Sequence, residues 1–267
     1  MESQESKTKA VPEKLLTVDI GNTNILIGLY RNEKPVGRWR LTSRQPQTAD
    51  EFWVVFHELF RSEELNIGRL SRTVLASVVP SLTRSMTSMI RSRLDQEPLI
   101  VDYRVKTGLT IGYQNPAVVG ADRLTNAAGA FALYGGPVIV VDLGTATTWD
   151  VITSSGEYLG GAIAPGIETS ASYLFERAAK LKVVELDNPG PAVGRNTEES
   201  VKAGIVFGAA GQIDHLCDLI DQERGERHQV IATGGLAEVV APHSQRIEKV
   251  EPWLTLRGML EIHRLNP

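Results

Sequence analysis

Leu15-Leu16-Thr17-Val18-Asp19-Ile20-Gly21-Asn22-Thr23-Asn24 and, about half the chain later, Val138-Ile139-Val140-Val141-Asp142-Leu143-Gly144-Thr145-Ala146-Thr147-Thr148 are two copies of one pattern. Each opens on a short β-branched apolar run, which reads as a buried strand. Each then turns through Asp-x-Gly into small hydroxyl or amide residues. Such a turn can set backbone N–H groups and hydroxyls against a phosphate, because glycine has no Cβ to block the approach. An aspartate at the strand end can hold a cation or its water shell, as a site using a nucleoside triphosphate requires. One Asp-x-Gly turn ends many ordinary strands. Two copies predict a duplicated fold gripping one nucleotide between its halves.

The surroundings of the two copies repeat as well. After Asp19, residues 25–30 supply a second apolar stretch, Asn32-Glu33-Lys34 a turn, and residues 36–41 an alternating, half-exposed strand. Residues 49–60 switch to helical spacing, with Phe52, Val55, Phe56, Leu59 and Phe60 on one face. Residues 73–79 read as a strand stopped by Pro80, 81–94 as a helix and 98–101 as a strand. In the second half, 138–143, 147–153 and 157–163 read as strands and 167–180 as a helix. A helix over 198–222 and a strand over 230–232 follow, ending at Thr233-Gly234-Gly235. The expected fold is α/β: two tandem ribonuclease-H-like subdomains, as in actin-like ATPases, with mixed sheets and a nucleotide cleft between them. Residues 1–14 are expected to form a disordered tail, 15–117 the first subdomain and 118–267 the second. A helix over 122–133 would open the second subdomain.

Composition narrows the class. The 267 residues are 42% hydrophobic and 22% charged, ordinary for a globular protein. A net charge of −4 with no basic block gives no case for nucleic acid. The single cysteine, Cys217, cannot form an intrachain disulfide, and its helical surroundings read as core. No apolar run is long enough to span a bilayer, and the polar N-terminus lacks the apolar centre of a secretory signal. The chain is expected in the cytoplasm, with no membrane partner. Trp39, Trp53, Trp149 and Trp253 read as core or interface residues.

Several chemistries are missing from the sequence. There is no Gly-x-x-x-x-Gly-Lys-Ser/Thr loop, no protein kinase motif set and no Gly-x-Ser-x-Gly nucleophile turn. One cysteine and five scattered histidines do not suggest zinc. Between the two Asp-x-Gly turns lies Gly120-Ala121-Asp122-Arg123, opening a helix rich in small residues. Asp122 there has two readings. It can serve the first turn of the helix, or act as a general base toward an acceptor hydroxyl in phosphoryl transfer. Arg123 could hold an anionic substrate group.

Taken in order, Asp19-Ile20-Gly21-Asn22-Thr23, Gly120-Ala121-Asp122-Arg123, Asp142-Leu143-Gly144-Thr145-Ala146-Thr147-Thr148, Gly160-Gly161-Ala162-Ile163-Ala164-Pro165-Gly166 and Thr233-Gly234-Gly235 resemble type III pantothenate kinase. The resemblance runs from about Leu15 to the C-terminus, and no motif is missing. It implies ATP-dependent phosphorylation of pantothenate to 4′-phosphopantothenate, opening coenzyme A biosynthesis. It implies an ATP loop of Asp19, Ile20, Gly21, Asn22, Thr23, Asn24, Ile25 and Leu26, with Thr145 as a further ATP contact. It makes Asp122 the base, and Tyr113, Gly120, Ala121, Asp122, Arg123 and Thr197 substrate contacts. It assigns Asp142 to a monovalent cation, potassium or ammonium, alongside ATP with Mg²⁺, and it implies a homodimer. Without the resemblance, Tyr113 would be a packed aromatic before a proline turn and Thr197 a helix N-cap. Gly160-Gly161 and Pro165-Gly166 read equally as strand-end turns or as places where backbone approaches a ligand or a second subunit. Gly234-Gly235 suits a turn near the adenosine. The rival readings are an actin-like kinase for a sugar or small acid, a non-enzymatic regulator, and a phosphohydrolase using water.

Overall fold

The structure is a computed structural model and describes residues 14–65, 70–178 and 180–267. The expected tail lies outside the described residues, apart from Lys14, which begins the first strand. The described residues form two compact units, divided between Ile100 and Val101.

The first unit contains β1 (Lys14–Ile20), β2 (Asn24–Arg31), β3 (Lys34–Thr42), α1 (Ala49–Ser62), β4 (Arg72–Ser77), α2 (Pro80–Leu94) and β5 (Leu99–Ile100). Its sheet runs β3-β2-β1-β4-β5. The first three strands form an antiparallel meander, and β4 lies parallel to β1, reached through α1. Alternation explains which face is covered. Leu16, Val18 and Ile20 of β1 and Ile25, Ile27 and Leu29 of β2 are all buried in one core. Against them pack Phe52, Phe56 and Phe60, spaced four apart on α1, and Leu82, Met86, Met89 and Ile90 of α2. Thr48 starts α1 through a capping box: its hydroxyl accepts from the Glu51 amide at 3.3 Å, and Glu51 accepts from the Thr48 amide at 2.6 Å. Pro80 takes the first position of α2, where its missing N–H costs nothing. It therefore opens the helix as well as ending the approach from β4.

The second unit contains β6 (Thr110–Ile111), α3 (Ala121–Tyr134), β7 (Val138–Leu143), β8 (Ala146–Ile152), β9 (Glu157–Pro165), α4 (Ile167–Arg177), α5 (Thr197–Arg224), β10 (Gln229–Gly234), α6 (Ala237–Val240), β11 (Lys249–Val250) and α7 (Leu254–Leu265). Its sheet order is β11-β10-β7-β8-β9-β6. Read from β9 to β11 this is the order of the first sheet, with antiparallel β7-β8-β9 and parallel β10 and β11. The α/β class with two mixed sheets is as expected. The short β6 adds an edge parallel to β9, and segment 101–117, read from sequence as the end of the first subdomain, falls in the second unit. The helix expected over 167–180 stops at Arg177, because Ala178 is extended.

Helices α3 and α7 pack through small residues. A Cβ on Gly258 would lie 1.7 Å from the Thr125 carbonyl oxygen, and one on Gly129 would lie 2.9 Å from the Gly258 amide nitrogen. Only hydrogen at both positions lets the helices come this close. Through Asn126, α3 is also tied to Asp142 of β7.

Candidate active site

The second Asp-x-Gly turn forms because β7 ends at Leu143 and the chain reverses at once into β8, with the Gly144 amide donating to the Ala146 carbonyl at 3.1 Å. The neighbouring strand end leaves it little room. Gly234, at the end of β10, has φ +98°, and a Cβ there would sit 2.7 Å from Asp142 Oδ1. Thr169 and the Gly166 amide both donate to the Thr145 carbonyl, at 2.8 and 3.1 Å. Gly144 and Thr145 themselves stay exposed. The Thr233-Gly234-Gly235 turn is thus built against Asp142. Gly235 and Leu236 line a cavity of about 800 Å³ with Glu168, Phe175 and Val239.

Asp142 is held from α3 and α7. Thr255 donates to Asn126 Oδ1 at 2.7 Å, which turns the Asn126 amide so that Nδ2 donates to Asp142 Oδ2 at 2.9 Å. Burial pushes the Asp142 carboxyl up to about 7, and the charges of Asp122 and Asp150 add to the rise against the Asn126 hydrogen bond. Asp122, in the first turn of α3, is also raised, by burial working against hydrogen bonds and the charge of Arg123. Its Oδ1 accepts from the Arg123 amide at 2.8 Å. The helix therefore uses Asp122 in its first turn while the carboxylate stays near Asp142. Two buried carboxylates, the charge of Asp122 adding to the cost of ionising Asp142, suit a bound cation, which would lower that cost. Among the described residues, no group of three or more His, Cys, Asp or Glu side chains could hold a metal ion alone. A cation here would need water or phosphate oxygens to complete its shell.

Arg123 joins Asp122 to an aromatic patch. Its Nε donates to Asp150 Oδ1 at 2.7 Å, and the guanidinium lies 5.8 Å from the Tyr158 ring centroid. Tyr113 packs against Tyr158 with centroids 6.5 Å apart. Gly160 makes the room: at φ +99°, a Cβ there would meet the Tyr113 ring at 2.5 Å. Gly161 lets β9 pass close to the Trp149 carbonyl. These glycines serve packing inside the unit.

The structure brings Tyr113, Gly120, Ala121, Asp122, Arg123 and Asp142 into one region. Thr197 lines a cavity of its own with residues of α4 and α5. It is the first residue of α5, whose N-cap is Asn196, accepting from the Glu199 amide at 2.9 Å. This corrects the N-cap role offered for Thr197. It is exposed and lines a cavity of about 650 Å³ with Leu174, Arg195 and Ser200. In the first unit, the Asp19 turn closes through the Gly21 amide donating to the Asn24 carbonyl at 2.9 Å, with Ser43 donating to the Gly21 carbonyl at 2.6 Å. Asn22 and Thr23 are exposed at its tip, whereas Ile20 and Ile25 are buried in the core. Those two can reach a ligand only through their backbone.

Asp150 escaped the sequence reading. The one available signal was an acidic residue between Trp149 and Val151 in a strand that otherwise reads as buried, a position that requires a partner.

Fold and site together define an α/β protein of the actin-like ATPase architecture. A Campylobacter jejuni protein carried under the name of a Baf family transcriptional activator shares the fold, with TM-score 0.55 and 20% identity over 94% of this chain and 98% of that one. So does component A of (R)-2-hydroxyglutaryl-CoA dehydratase from Acidaminococcus fermentans, with TM-score 0.56 and 12% identity over 96% of this chain and all of that one. A profile of the type III pantothenate kinase family matches residues 15–219. The type III pantothenate kinase of Moorella thermoacetica is 44% identical over 94% of this chain and 99% of its own length. The chain belongs to the type III pantothenate kinase family.

Proposed function

We infer that this chain transfers the γ-phosphoryl group of ATP to the primary hydroxyl of pantothenate, giving 4′-phosphopantothenate and ADP at the start of coenzyme A biosynthesis. Family membership carries the activity. The structural observation behind the site is the pairing of two raised carboxylates, Asp122 and Asp142, beside Arg123.

Asp122 is the general base. It accepts the hydroxyl proton as the hydroxyl oxygen bonds to the γ-phosphorus and the bond to the β,γ-bridging oxygen breaks, its electron pair leaving with ADP. Burial favours the reaction, since a carboxylate raised above its usual range accepts a proton more readily. Gly120, Ala121, Arg123 and Tyr113 position the acceptor, and Arg123 supplies fixed charge. Residues 19–26 and Thr145 hold the phosphates of ATP, which brings Mg²⁺ with it. Gly235 and its cavity lie next to the adenosine. A potassium or ammonium ion at Asp142 supplies positive charge beside the transferring group.

Thr197 is also assigned to pantothenate. It lines a cavity that includes none of Tyr113, Asp122 or Arg123, so it completes the site of a second copy in a homodimer. Among the described residues no helix is long and apolar enough to cross a membrane, and we place the enzyme in the cytoplasm with the ATP it consumes.

The test is ADP release from ATP and Mg²⁺ with and without pantothenate, in sodium and then in potassium. Turnover that needs both pantothenate and potassium is the expected result. Turnover without pantothenate dependence would overturn the substrate, and equal rates in the two salts would overturn the cation.

A further inference from the structure

Asp150 sits in the middle of β8, fully buried, and collects three donors. Arg123 Nε and the Tyr158 hydroxyl each reach Oδ1 at 2.7 Å, and the Thr148 hydroxyl reaches Oδ2 at 3.2 Å. Arg123 Nη2 also lies 2.7 Å from Oδ1, but it is buried and has no aligned hydrogen bond of its own. One edge of the guanidinium is therefore pinned to a single oxygen. Among the described residues the opposite nitrogen, Nη1, has no protein acceptor. The Tyr158 ring lies beneath the same group.

A buried ion pair is an expensive way to join a helix to a sheet. Apolar residues of the same volume would hold α3 against β8 and β9 at least as well, because they avoid desolvating two charges. What the pair adds is direction. It fixes an arginine in one orientation, with one face on an aromatic ring and one donor edge left over, immediately after Asp122. Pre-organisation of this kind removes the rotamer entropy that a long side chain would otherwise lose when it binds.

We propose that Asp150, with Tyr158, is the positioning residue of the acceptor site: its hydrogen bond to Arg123 Nε, with Nη2 beside the same oxygen, turns the guanidinium so that Nη1 faces the anionic acceptor. This rests on the reading of the chain as a pantothenate kinase. Asp150 touches neither substrate nor nucleotide, and its hold on the acceptor runs through Arg123. Its removal should weaken the acceptor's binding and leave that of ATP as it was.

The experiment is steady-state kinetics of Asp150→Asn and Tyr158→Phe beside wild type, varying pantothenate and ATP separately, with a thermal melt of each protein. Asp150→Asn is expected to raise KM for pantothenate at least tenfold and Tyr158→Phe a few-fold, each with KM for ATP within twofold of wild type. A purely structural pair predicts lower melting temperatures with KM for pantothenate unchanged, and that result overturns the proposal. Should Asp150→Asn fail to fold, Tyr158→Phe decides, since it keeps the ring and removes only one donor. An unchanged KM there also overturns the proposal. Wild type with no pantothenate-dependent turnover would overturn the functional reading and this proposal together. An active wild type with unaffected variants overturns the proposal alone.

Discussion

Asp122 and Asp142 show how the same physics that destabilises a residue can make it useful. Both carboxylates are buried enough that ionisation costs more than in water. If Asp122 is the base, Asp122→Asn should lower turnover by about 10²–10⁴-fold while nucleotide binding is kept. A variant retaining more than about a tenth of the wild-type rate contradicts the role. Asp142 makes a stability prediction with a definite sign. Its folded value of about 7 lies above the ordinary 3.8, so the folded chain binds this proton more tightly than the unfolded chain does. The cost is absent below the unfolded value, grows as pH rises, and is complete above the folded value. Without ATP and in potassium-free buffer, Asp142→Asn should therefore melt higher than wild type at pH 8 and close to it at pH 4. Melting curves that coincide at pH 8 would show that ionised Asp142 costs the fold nothing. In potassium the same variant should be slow, a trade of stability against function.

At the scale of elements, the packing of α3 on α7 holds the site. Thr255 on α7 orients Asn126 on α3, which in turn holds Asp142 on β7. A displacement of α7 is thus felt at the strand end. Gly258→Ala places a methyl group where the Thr125 carbonyl oxygen lies 1.7 Å away, so the helices must separate. The expected cost is about 1–3 kcal/mol. That corresponds to a fall of roughly 2–4 °C per kcal/mol in melting temperature, and turnover should fall too because Asp122 and Asn126 ride on α3. A Gly258→Ala protein with wild-type stability would mean that the helices relax apart freely. The first unit offers a milder test: Thr48→Ala removes the capping box of α1 and should cost about 1 kcal/mol without touching the site. Urea unfolding of the two variants would rank them.

For the molecule as a whole, each unit folds around the same order of strands, a meander followed by parallel strands reached through helices. The second unit is the elaborated one, with β6 at its edge, the cavities near Gly235 and Thr197, and the acidic cluster. Ile163, Tyr173, Val183 and Val193 are exposed apolar side chains of that unit, in keeping with the proposed homodimer. Sedimentation equilibrium should give the mass of two chains, and mixing inactive Asp122→Asn with inactive Thr197→Ala chains should restore activity in the mixed dimers. A monomeric, fully active protein would remove Thr197 from a shared site.

Much of this was legible in the chain itself. Two β-branched runs ending in Asp-x-Gly, at Asp19 and Asp142, specify buried strands and tight turns through local chemistry, so the repeat and the fold class could be read from it. The Phe52, Phe56 and Phe60 stripe of α1 and the opening of α3 at Gly120 were legible for the same reason, since periodicity and turn residues act over a few positions. What lay outside that range was decided by tertiary structure. The two-residue strands β6 and β11 are too short to alternate and exist only because a neighbouring strand pairs with them. Asp150 has no motif, and its partners Arg123 and Tyr158 come from α3 and β9. Thr197 reads like a cap, and only the folded chain gives that place to Asn196. The raised pKa of Asp142 is the plainest case. It comes from burial and from carboxylates on α3 and β8, and only the fold brings that burial and those charges together at the end of β7.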